Sequence, residues 1–200
     1  MSTATSESSE HPSAGDIERF ERLYDQSSDP WGYRSSSYEQ QKYAATLAAL
    51  PKRSHGSCLE IGCSIGVFTG LLASRCEHVV AIDFSLGALA LARRHLRGAD
   101  NVDLLRAGFP GETPPGSWDL IVCSEVLYYL QRPALDEAVR WIRAQLSYGA
   151  SVVVVSWRGI GRDEPTTGDE VHDRLASELA DSHALDARRD GYRLDRFDGR

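Results

Sequence analysis

The sequence lacks several features that would assign it to common classes of protein. It contains no run of eighteen apolar residues, so it predicts no membrane-spanning helix. Residues 1–15 have neither the basic nor the apolar region of a secretion signal, and their Ser, Thr, Gly and Pro content predicts a disordered tail. None of the four cysteines belongs to a C-x-x-C pair, which argues against zinc and favours small buried thiols in a cytoplasmic protein.

Positive charge is also scarce in this chain. Lysine and arginine total 22 against 29 aspartates and glutamates, which gives a formal net charge of −7. A nucleic-acid-binding protein normally carries a basic surface, so this balance favours a cationic or neutral small molecule as the substrate. The 200 residues, 42% of them apolar, are enough for one globular domain, which we predict over 16–200.

Three parts of the chain follow different patterns. Residues 16–50 predict a helical cap, whose first helix takes Asp16 as its N-cap. Residues 57–156 alternate apolar strands with amphipathic helices and predict the cofactor-binding core of an α/β protein. Residues 157–200 predict a helix on the substrate side and a terminal β-hairpin that turns at Asp190–Gly191.

The most informative stretch is 57–83, which predicts a strand, a glycine turn, a helix and a second strand. Gly62 opens the turn, where the backbone must bend without a Cβ in the way, and Gly66 is expected to let the helix begin close to a ligand. Asp83 ends the second strand, as the acid does in a nucleotide-type cofactor site. The dinucleotide pattern G-x-G-x-x-G is absent, because Ser64 stands in place of the middle glycine.

The spacing E-x-G-x-x-x-G, formed by Glu60, Gly62 and Gly66, resembles motif I of the class I S-adenosylmethionine-dependent methyltransferases. Further segments resemble the nodulation protein S family: D-P-W-G-Y (29–33), Y-E-Q-Q-K-Y (38–43), L-E-I-G-C-S-I-G (59–66), D-L-I-V-C-S-E-V-L-Y-Y-L (119–130) and T-G-D-E-V-H-D (167–173). The resemblance implies a Rossmann-like, doubly wound, seven-stranded mixed sheet. It also implies methyl transfer from S-adenosylmethionine, with S-adenosylhomocysteine as the product. The implied acceptor is an amine of a saccharide or small molecule, such as a de-N-acetylated amino sugar, and no metal is expected.

The resemblance also assigns residues to the cofactor. Asp83 is expected to accept two hydrogen bonds from the ribose diol, Phe84 to offer a face to adenine, and Arg34 to pair with the methionine carboxylate. Gly108 stands where many of these enzymes place an acid against adenine, so a backbone group is expected there instead. The full set expected to bind the cofactor is Glu60, Gly62, Ser64, Gly66, Asp83, Phe84, Gly108, Phe109, Ser124 and Arg34.

Glu125 is the first candidate for a role at the acceptor, because it follows the fourth strand, where open α/β sheets bind ligands. An amine attacks only when it is unprotonated, and a carboxylate at this position can attract, orient and deprotonate it. Alternatively, Glu125 caps the next turn or binds only the cofactor. Of Tyr128 and Tyr129, we expect one to face the substrate and the other to pack.

Three other residues are candidates on the acceptor side. His172 is a second candidate base, and it lies three positions after Asp169 at the start of a helix. The alternative is that Asp169 caps that helix and His172 is solvated. Trp31 is expected either to edge a lid over the site or to anchor the N-terminal helices to the core.

The sequence leaves three rival functions open. O-methylation of a small hydroxyl compound would need the same cofactor-binding half. An NAD(P)-dependent oxidoreductase is disfavoured by the missing middle glycine. A non-catalytic domain is disfavoured by the intact glycine turn and Asp83, for which a scaffold has no need.

Overall fold

The structure, a computed structural model, describes residues 12–161 and 164–200. Its strands are β1 (His55–Ile61), β2 (Cys76–Asp83), β3 (Val102–Arg106), β4 (Leu120–Ser124), β5 (Ser151–Trp157), β6 (His183–Arg188) and β7 (Tyr192–Asp198). Its α-helices are α1 (Ala14–Gln26), α2 (Ser37–Ala49), α3 (Val67–Ala73), α4 (Leu86–His95), α5 (Arg132–Ser147) and α6 (Gly168–Glu178). Short 3₁₀ helices cover Leu127–Tyr129 and Ala180–Ser182.

The strands form one sheet in the order β3-β2-β1-β4-β5-β7-β6. β1 to β5 pair in parallel, and β7 pairs antiparallel with both β5 and β6. This confirms the predicted seven-stranded mixed sheet with its antiparallel terminal hairpin. The direction in which strands are added reverses between β1 and β4, and ligands of open α/β sheets bind outside the carboxyl ends of the strands at such a point.

The central strands are buried on both faces, because helices cover the sheet from both sides. Along β4, Ile121 and Cys123 belong to the apolar layer on one face, and Leu120 and Val122 belong to the layer on the other. All four side chains are fully buried. Because this alternation fixes the register of β4, it places Glu125, the next residue after the strand, at the carboxyl edge of the sheet.

The N-terminal helix begins earlier than predicted. Its N-cap is Ser13, whose Oγ accepts a hydrogen bond from the Asp16 N–H at 3.2 Å. The Asp16 carboxylate accepts in return from the Ser13 N–H at 3.1 Å, so Asp16 closes a capping box from inside the helix. The prediction that Asp16 is the cap was therefore wrong, and so was the predicted tail at residues 14 and 15. The tail prediction for residues 1–11 lies outside the described residues.

The four cysteines are buried and carry free thiols, as the sequence predicted: Cys58, Cys63, Cys76 and Cys123. They lie in or beside β1, β2 and β4, where small apolar side chains fit between packed strands and helices. Across the two described ranges, none of the helices has both the length and the apolar character needed to cross a bilayer.

Candidate active site

A cleft opens at the carboxyl ends of β1, β2 and β4, where the strand order reverses. Its floor comes from the residues at and after these strand ends, and α1 contributes one wall. The lining residues include Asp16, Phe20 and Tyr24 from α1, Trp31 and Tyr33 from the following turn, and Gly62, Ser64, Asp83, Phe84, Phe109, Ser124, Glu125 and Tyr129. The cleft therefore joins the N-terminal cap to the predicted cofactor core.

The glycine turn after β1 requires its glycines for different reasons. Gly62 has φ +76°, and a Cβ at this position would overlap Val126 Cγ2, so only glycine lets the chain after β4 lie against the turn. Gly66 has φ +79°, and its Cβ would approach Leu96 Cδ1 to 2.9 Å and Ala92 Cβ to 3.1 Å. Gly66 therefore allows α3 to pack against α4, and it does not line the cleft. Its contact with the ligand stays a prediction.

Asp83 lies beside this turn and is hydrogen-bonded to it. Its Oδ2 accepts from the Ser64 N–H and its Oδ1 accepts from the Ser85 N–H, both at 2.9 Å. Each oxygen keeps a lone pair, because a carboxylate oxygen accepts two hydrogen bonds. Burial raises the pKa of Asp83 to about 6, although the backbone donors at Ser85 and Ser64 lower it in part. At neutral pH the group is a charged acceptor in the cleft.

A smaller cavity of about 340 Å³ adjoins the cleft and shares Tyr33, Gly62, Ser64, Ser124 and Glu125 with it. Glu60, 3% exposed, lines this cavity, and its Oε2 has no hydrogen-bond partner in the described part of the chain. Burial raises the pKa of Glu60 to about 8. A buried carboxyl oxygen without a partner needs a donor, and a ligand that enters the cavity can supply it.

Glu125 is held in place by three donors. Its Oε1 lies 2.6 Å from Lys42 Nζ, and its Oε2 accepts from the Tyr128 hydroxyl and the Trp157 N–H, each at 2.8 Å. The residue has φ +59°, a left-handed conformation that is uncommon for a non-glycine residue and that directs the chain from β4 into the 3₁₀ helix. Glu125 lines both the cleft and the smaller cavity.

Lys42 and Glu39, on α2, are site residues that the sequence analysis did not identify. The Lys42 side chain is 3% exposed, and its Nζ lies 3.0 Å from the Glu39 carboxylate as well as 2.6 Å from Glu125. Burial alone would lower the pKa of Lys42, but the Glu125 and Glu39 carboxylates raise it above its usual value. One signal was available: Glu39, Lys42, Tyr43 and Thr46 follow helical spacing, so polar residues occupy the buried face of α2.

Aromatic side chains form a continuous cluster along the cleft. The ring of Phe20 meets the rings of Phe84 and Tyr129 edge to face, at centroid distances of 5.4 and 5.3 Å. Trp31 stacks on Tyr33 at 5.6 Å. Trp31, Phe84 and Tyr129 all line the cleft, and Phe109 and Ser124 do so as well.

The two adjacent tyrosines after β4 have different surroundings. Tyr128 is buried and does not line the cleft, and its hydroxyl donates a hydrogen bond to Glu125. Tyr129 lines the cleft. One therefore packs and holds the carboxylate, and the other is available to a ligand.

Two predicted cofactor contacts lie elsewhere. Arg34 is exposed and does not line the cleft, because the turn at Gly32 (φ +71°) directs Tyr33 inward and Arg34 outward. Gly108 does not line the cleft either, and its backbone groups are already used. Its N–H donates to Glu112 Oε2 and its C=O accepts from the Glu112 N–H, both at 2.8 Å. Neither residue is therefore placed against the cleft, and both cofactor contacts stay predictions.

Asp169 and His172 also lie outside the cleft. The N-cap of α6 is Thr167, and Asp169 pairs instead with Arg158 at 3.0 Å. His172 is 0% exposed, and its Nδ1 lies 2.9 Å from Asp195 Oδ2 on β7. The expectation that His172 is a base in the acceptor pocket was wrong, and so was the alternative of a solvated side chain. The sequence pattern did not reveal that α6 packs this face against β7.

Comparison with known proteins gives consistent results. The model of a family described as nodulation protein S matches residues 15–160. Nodulation protein S of Bradyrhizobium diazoefficiens is 30% identical over 138 residues, which are 68% of this chain and 64% of that curated relative. The chain thus spans slightly less than two thirds of that relative's length.

Two crystal structures share the fold. One, a candidate methyltransferase from Pseudomonas syringae, is 32% identical with a TM-score of 0.71, over 82% of this chain and 99% of that one. The other is N-methyltransferase NodS from Bradyrhizobium japonicum WM9 in complex with S-adenosylhomocysteine. It has a TM-score of 0.76 at 21% identity, over 92% of this chain and 97% of that one. At that identity, the second likeness is evidence for the fold alone.

Proposed function

The chain belongs to the nodulation protein S family, and we propose that it is an S-adenosylmethionine-dependent methyltransferase that N-methylates an amine of a saccharide or small molecule. The observation that carries the proposal is the pair of acidic groups on either side of the glycine turn. Asp83 has two acceptor positions left in the cleft, and Glu60 presents an unpartnered oxygen next to the adjoining cavity. A ligand with a diol at one end and an ammonium at the other satisfies both groups.

The residues of the cleft fit S-adenosylmethionine in three respects. The Asp83 carboxylate would accept hydrogen bonds from the ribose hydroxyls, and the Glu60 side chain would accept one from the methionine ammonium. Phe84 and Phe109 would offer apolar surface to adenine. When bound, the cofactor supplies an electrophilic methyl group. The main task of the protein is therefore alignment of the acceptor, which can contribute roughly 7–11 kcal/mol to lowering the barrier.

The acceptor side of the cleft suits an amine carried on a ring or another apolar frame. Trp31 and Tyr129 present aromatic faces, which attract both an ammonium group and the apolar face of a sugar. Glu125 and Asp16 add acidic side chains to the same cleft. Glu125 orients the amine through a hydrogen bond and favours its arrival in the cationic form. Glu125 Oε1 then takes a proton from the ammonium as the general base, and the neutral amine that results attacks the methyl group.

The same contacts disfavour a dinucleotide as the ligand. In a dinucleotide site, the second glycine lets the backbone N–H groups approach a pyrophosphate. Here the Ser64 N–H is bonded to Asp83, and three carboxyl groups, Glu39, Glu60 and Glu125, line the cavity beside the turn. Glu60, with its pKa raised to about 8, is largely neutral at neutral pH, but the Glu39 and Glu125 carboxylates outnumber Lys42, so a pyrophosphate would meet net negative charge there.

Calorimetric titration of the full chain with S-adenosylhomocysteine, with NADH as a parallel control, tests the cofactor. Micromolar binding of S-adenosylhomocysteine alone is expected. Binding of NADH alone, or of neither ligand, would overturn the proposal.

A second measurement tests the acceptor. Incubation with S-adenosylmethionine and a fully de-N-acetylated glucosamine disaccharide should give a methylated product, and fragmentation in the mass spectrometer should locate the methyl group on nitrogen. A methyl group on oxygen would establish the rival O-methyltransferase.

A further inference from the structure

We propose that Lys42 is a positioning residue for the methyl acceptor: it fixes the Glu125 carboxylate so that one oxygen faces the incoming amine. The proposal rests on the function proposed above and adds to it a role for α2, which carries none of the predicted site residues. Lys42 does not line the cleft itself, so it acts through its contact with Glu125.

The Glu125 carboxylate accepts hydrogen bonds from three donors, one at Oε1 and two at Oε2. Both lone pairs of Oε2 are used by the Tyr128 hydroxyl and the Trp157 N–H. Among the residues that the structure describes, Oε1 accepts from Lys42 Nζ alone, at 2.6 Å, and therefore keeps one acceptor position. Because Glu125 lines the cleft, Oε1 is the atom of this carboxylate that can accept from a ligand.

Lys42 is itself held in place by two ion pairs. Its ammonium lies between two carboxylates, Glu125 and Glu39, and the three side chains are nearly buried, with exposures of 3% for Lys42, 12% for Glu125 and 9% for Glu39. A buried ammonium between two fixed carboxylates has little freedom to move. Lys42 therefore constrains the direction of Oε1, and Glu39 constrains Lys42.

The group formed by Glu39, Lys42 and Glu125 has a charge that bears on the acceptor. The group contains two carboxylates and one lysine, so it carries net negative charge when all three are ionised, and it lies beside the cleft. A cationic acceptor is attracted by the net negative charge of this group. Lys42 holds the Glu125 carboxylate in place, so the carboxylate does not move toward the amine to form a direct ion pair. A buried ion pair contributes little net stability compared with apolar packing, so stability alone gives little reason for this one.

The experiment uses the full chain as wild type, Lys42→Met, Glu125→Gln and the double variant. Lys52→Met is the control, because Lys52 is an exposed lysine of the same N-terminal region. Two quantities are measured for each protein: the Kd of S-adenosylhomocysteine, and the Kd of the de-N-acetylated glucosamine disaccharide for protein saturated with S-adenosylhomocysteine. Initial rates with S-adenosylmethionine give kcat and KM for the disaccharide.

Lys42→Met should bind S-adenosylhomocysteine with the wild-type Kd. Its affinity for the disaccharide and its kcat/KM for the disaccharide should each fall by about tenfold, because that is the usual effect of losing a charge-assisted hydrogen bond. The double variant should lose no more than Glu125→Gln alone, because Lys42 acts through Glu125. Lys42→Arg, which keeps the cation, should recover most of the loss. Lys42→Gln, which removes the charge but keeps a polar side chain, provides the test if Lys42→Met does not fold.

Four outcomes would contradict these expectations, and each identifies which proposal fails. Unchanged kcat/KM in Lys42→Met, or losses that multiply in the double variant, would overturn the role of Lys42 and leave the proposed function intact. Failure of the wild-type protein to bind S-adenosylhomocysteine would overturn the proposed function itself. Binding of S-adenosylhomocysteine without the disaccharide would overturn the amine acceptor and, with it, the positioning role.

Discussion

The Tyr24 hydroxyl lies 2.6 Å from the Ser64 Oγ, so a residue of the N-terminal cap is hydrogen-bonded to the cofactor turn itself. Ser64 has φ +50°, and its N–H donates to Asp83. One chain of contacts thus connects α1, the turn after β1 and the acid at the end of β2. The conformation of the turn is therefore coupled to the position of the cap.

Tyr24→Phe should lower the free energy of unfolding by about 1 kcal/mol, because it removes one hydrogen bond that is largely shielded from solvent. It should also weaken S-adenosylhomocysteine binding several-fold, since Ser64 loses a constraint. Urea denaturation and calorimetry measure the two effects. The control is Tyr148→Phe, whose side chain is 81% exposed and which should change neither quantity. An unchanged affinity in Tyr24→Phe would mean that the cap and the turn are not coupled.

Asp83 should make cofactor binding depend on pH. Its pKa is raised to about 6, so the carboxylate gains a proton as the pH falls through that value and loses both its charge and an acceptor position. The affinity for S-adenosylhomocysteine should be about tenfold lower at pH 5 than at pH 7. Asp83→Asn should bind weakly and show a flat profile over this range. Asp83→Ala should abolish binding while the protein stays folded, and wild-type affinity in that variant would refute the placement of the ribose.

Glu60 should make stability depend on pH, in a direction that its raised pKa determines. The folded-state pKa is about 8, above the unfolded value, so the unfolded chain ionises first as the pH rises. The stability contributed by this group is full below about pH 4.5 and is lost progressively, at about 1.4 kcal/mol per pH unit, until the pH passes about 8.

Glu60→Gln removes this dependence, so the variant should become more stable than wild type as the pH rises from 5 to 8. Urea denaturation at several pH values checks the prediction. Glu77→Gln, at an exposed position of β2, is the matched control and should follow the wild-type profile. A difference between Glu60→Gln and wild type that does not vary with pH would contradict the assignment.

Gly62→Ala isolates the close approach at the cofactor turn. The substitution imposes a positive φ on a residue with a Cβ, and that Cβ overlaps Val126 Cγ2. Gly98→Ala is a matched control, because Gly98 also has positive φ (+93°) but no atom in the described part of the chain lies within 4 Å of its Cβ position. We expect Gly98→Ala to lower the free energy of unfolding by about 1 kcal/mol, and Gly62→Ala by about 1–3 kcal/mol more. Equal losses in a denaturation experiment would show that Val126 moves aside without strain.

His172→Ala separates stability from function. The side chain is fully buried and bonded to Asp195, which is also fully buried, so its loss should lower the free energy of unfolding by about 2–4 kcal/mol. The affinity of the folded protein for S-adenosylhomocysteine should not change. A variant of full stability that failed to turn over would restore His172 to the active site.

The fold was largely predictable because its signals are local. Runs such as Val152–Val155 can only be buried strands, and Asp190–Gly191 is a turn that joins two strands. The resemblance then supplied the number of strands and the mixed character of the sheet. Helix ends were less predictable, since Ser13 and Asp16 are both good caps and only the hydrogen bonds distinguish them.

The site was predictable where the chain is close to the glycine turn, as at Asp83 and Phe84. It was not predictable where a contact joins distant segments. The pair Lys42 and Glu125 is 83 residues apart, and nothing in either segment indicates the other. His172 and Asp195 likewise meet only because α6 packs on β7. A polar residue on a helix face has the same pattern whether it faces water or a buried partner.

The position of β7 between β5 and β6 has a consequence for how a newly made chain acquires its structure. β6 is synthesised before β7, which is its partner among the strands of the described residues, and β5 needs the same strand on that side. The emerging polypeptide therefore carries an open edge at β5 and an unpaired β6 until residues 192–198 have left the ribosome. Until then both segments are exposed to association with other chains.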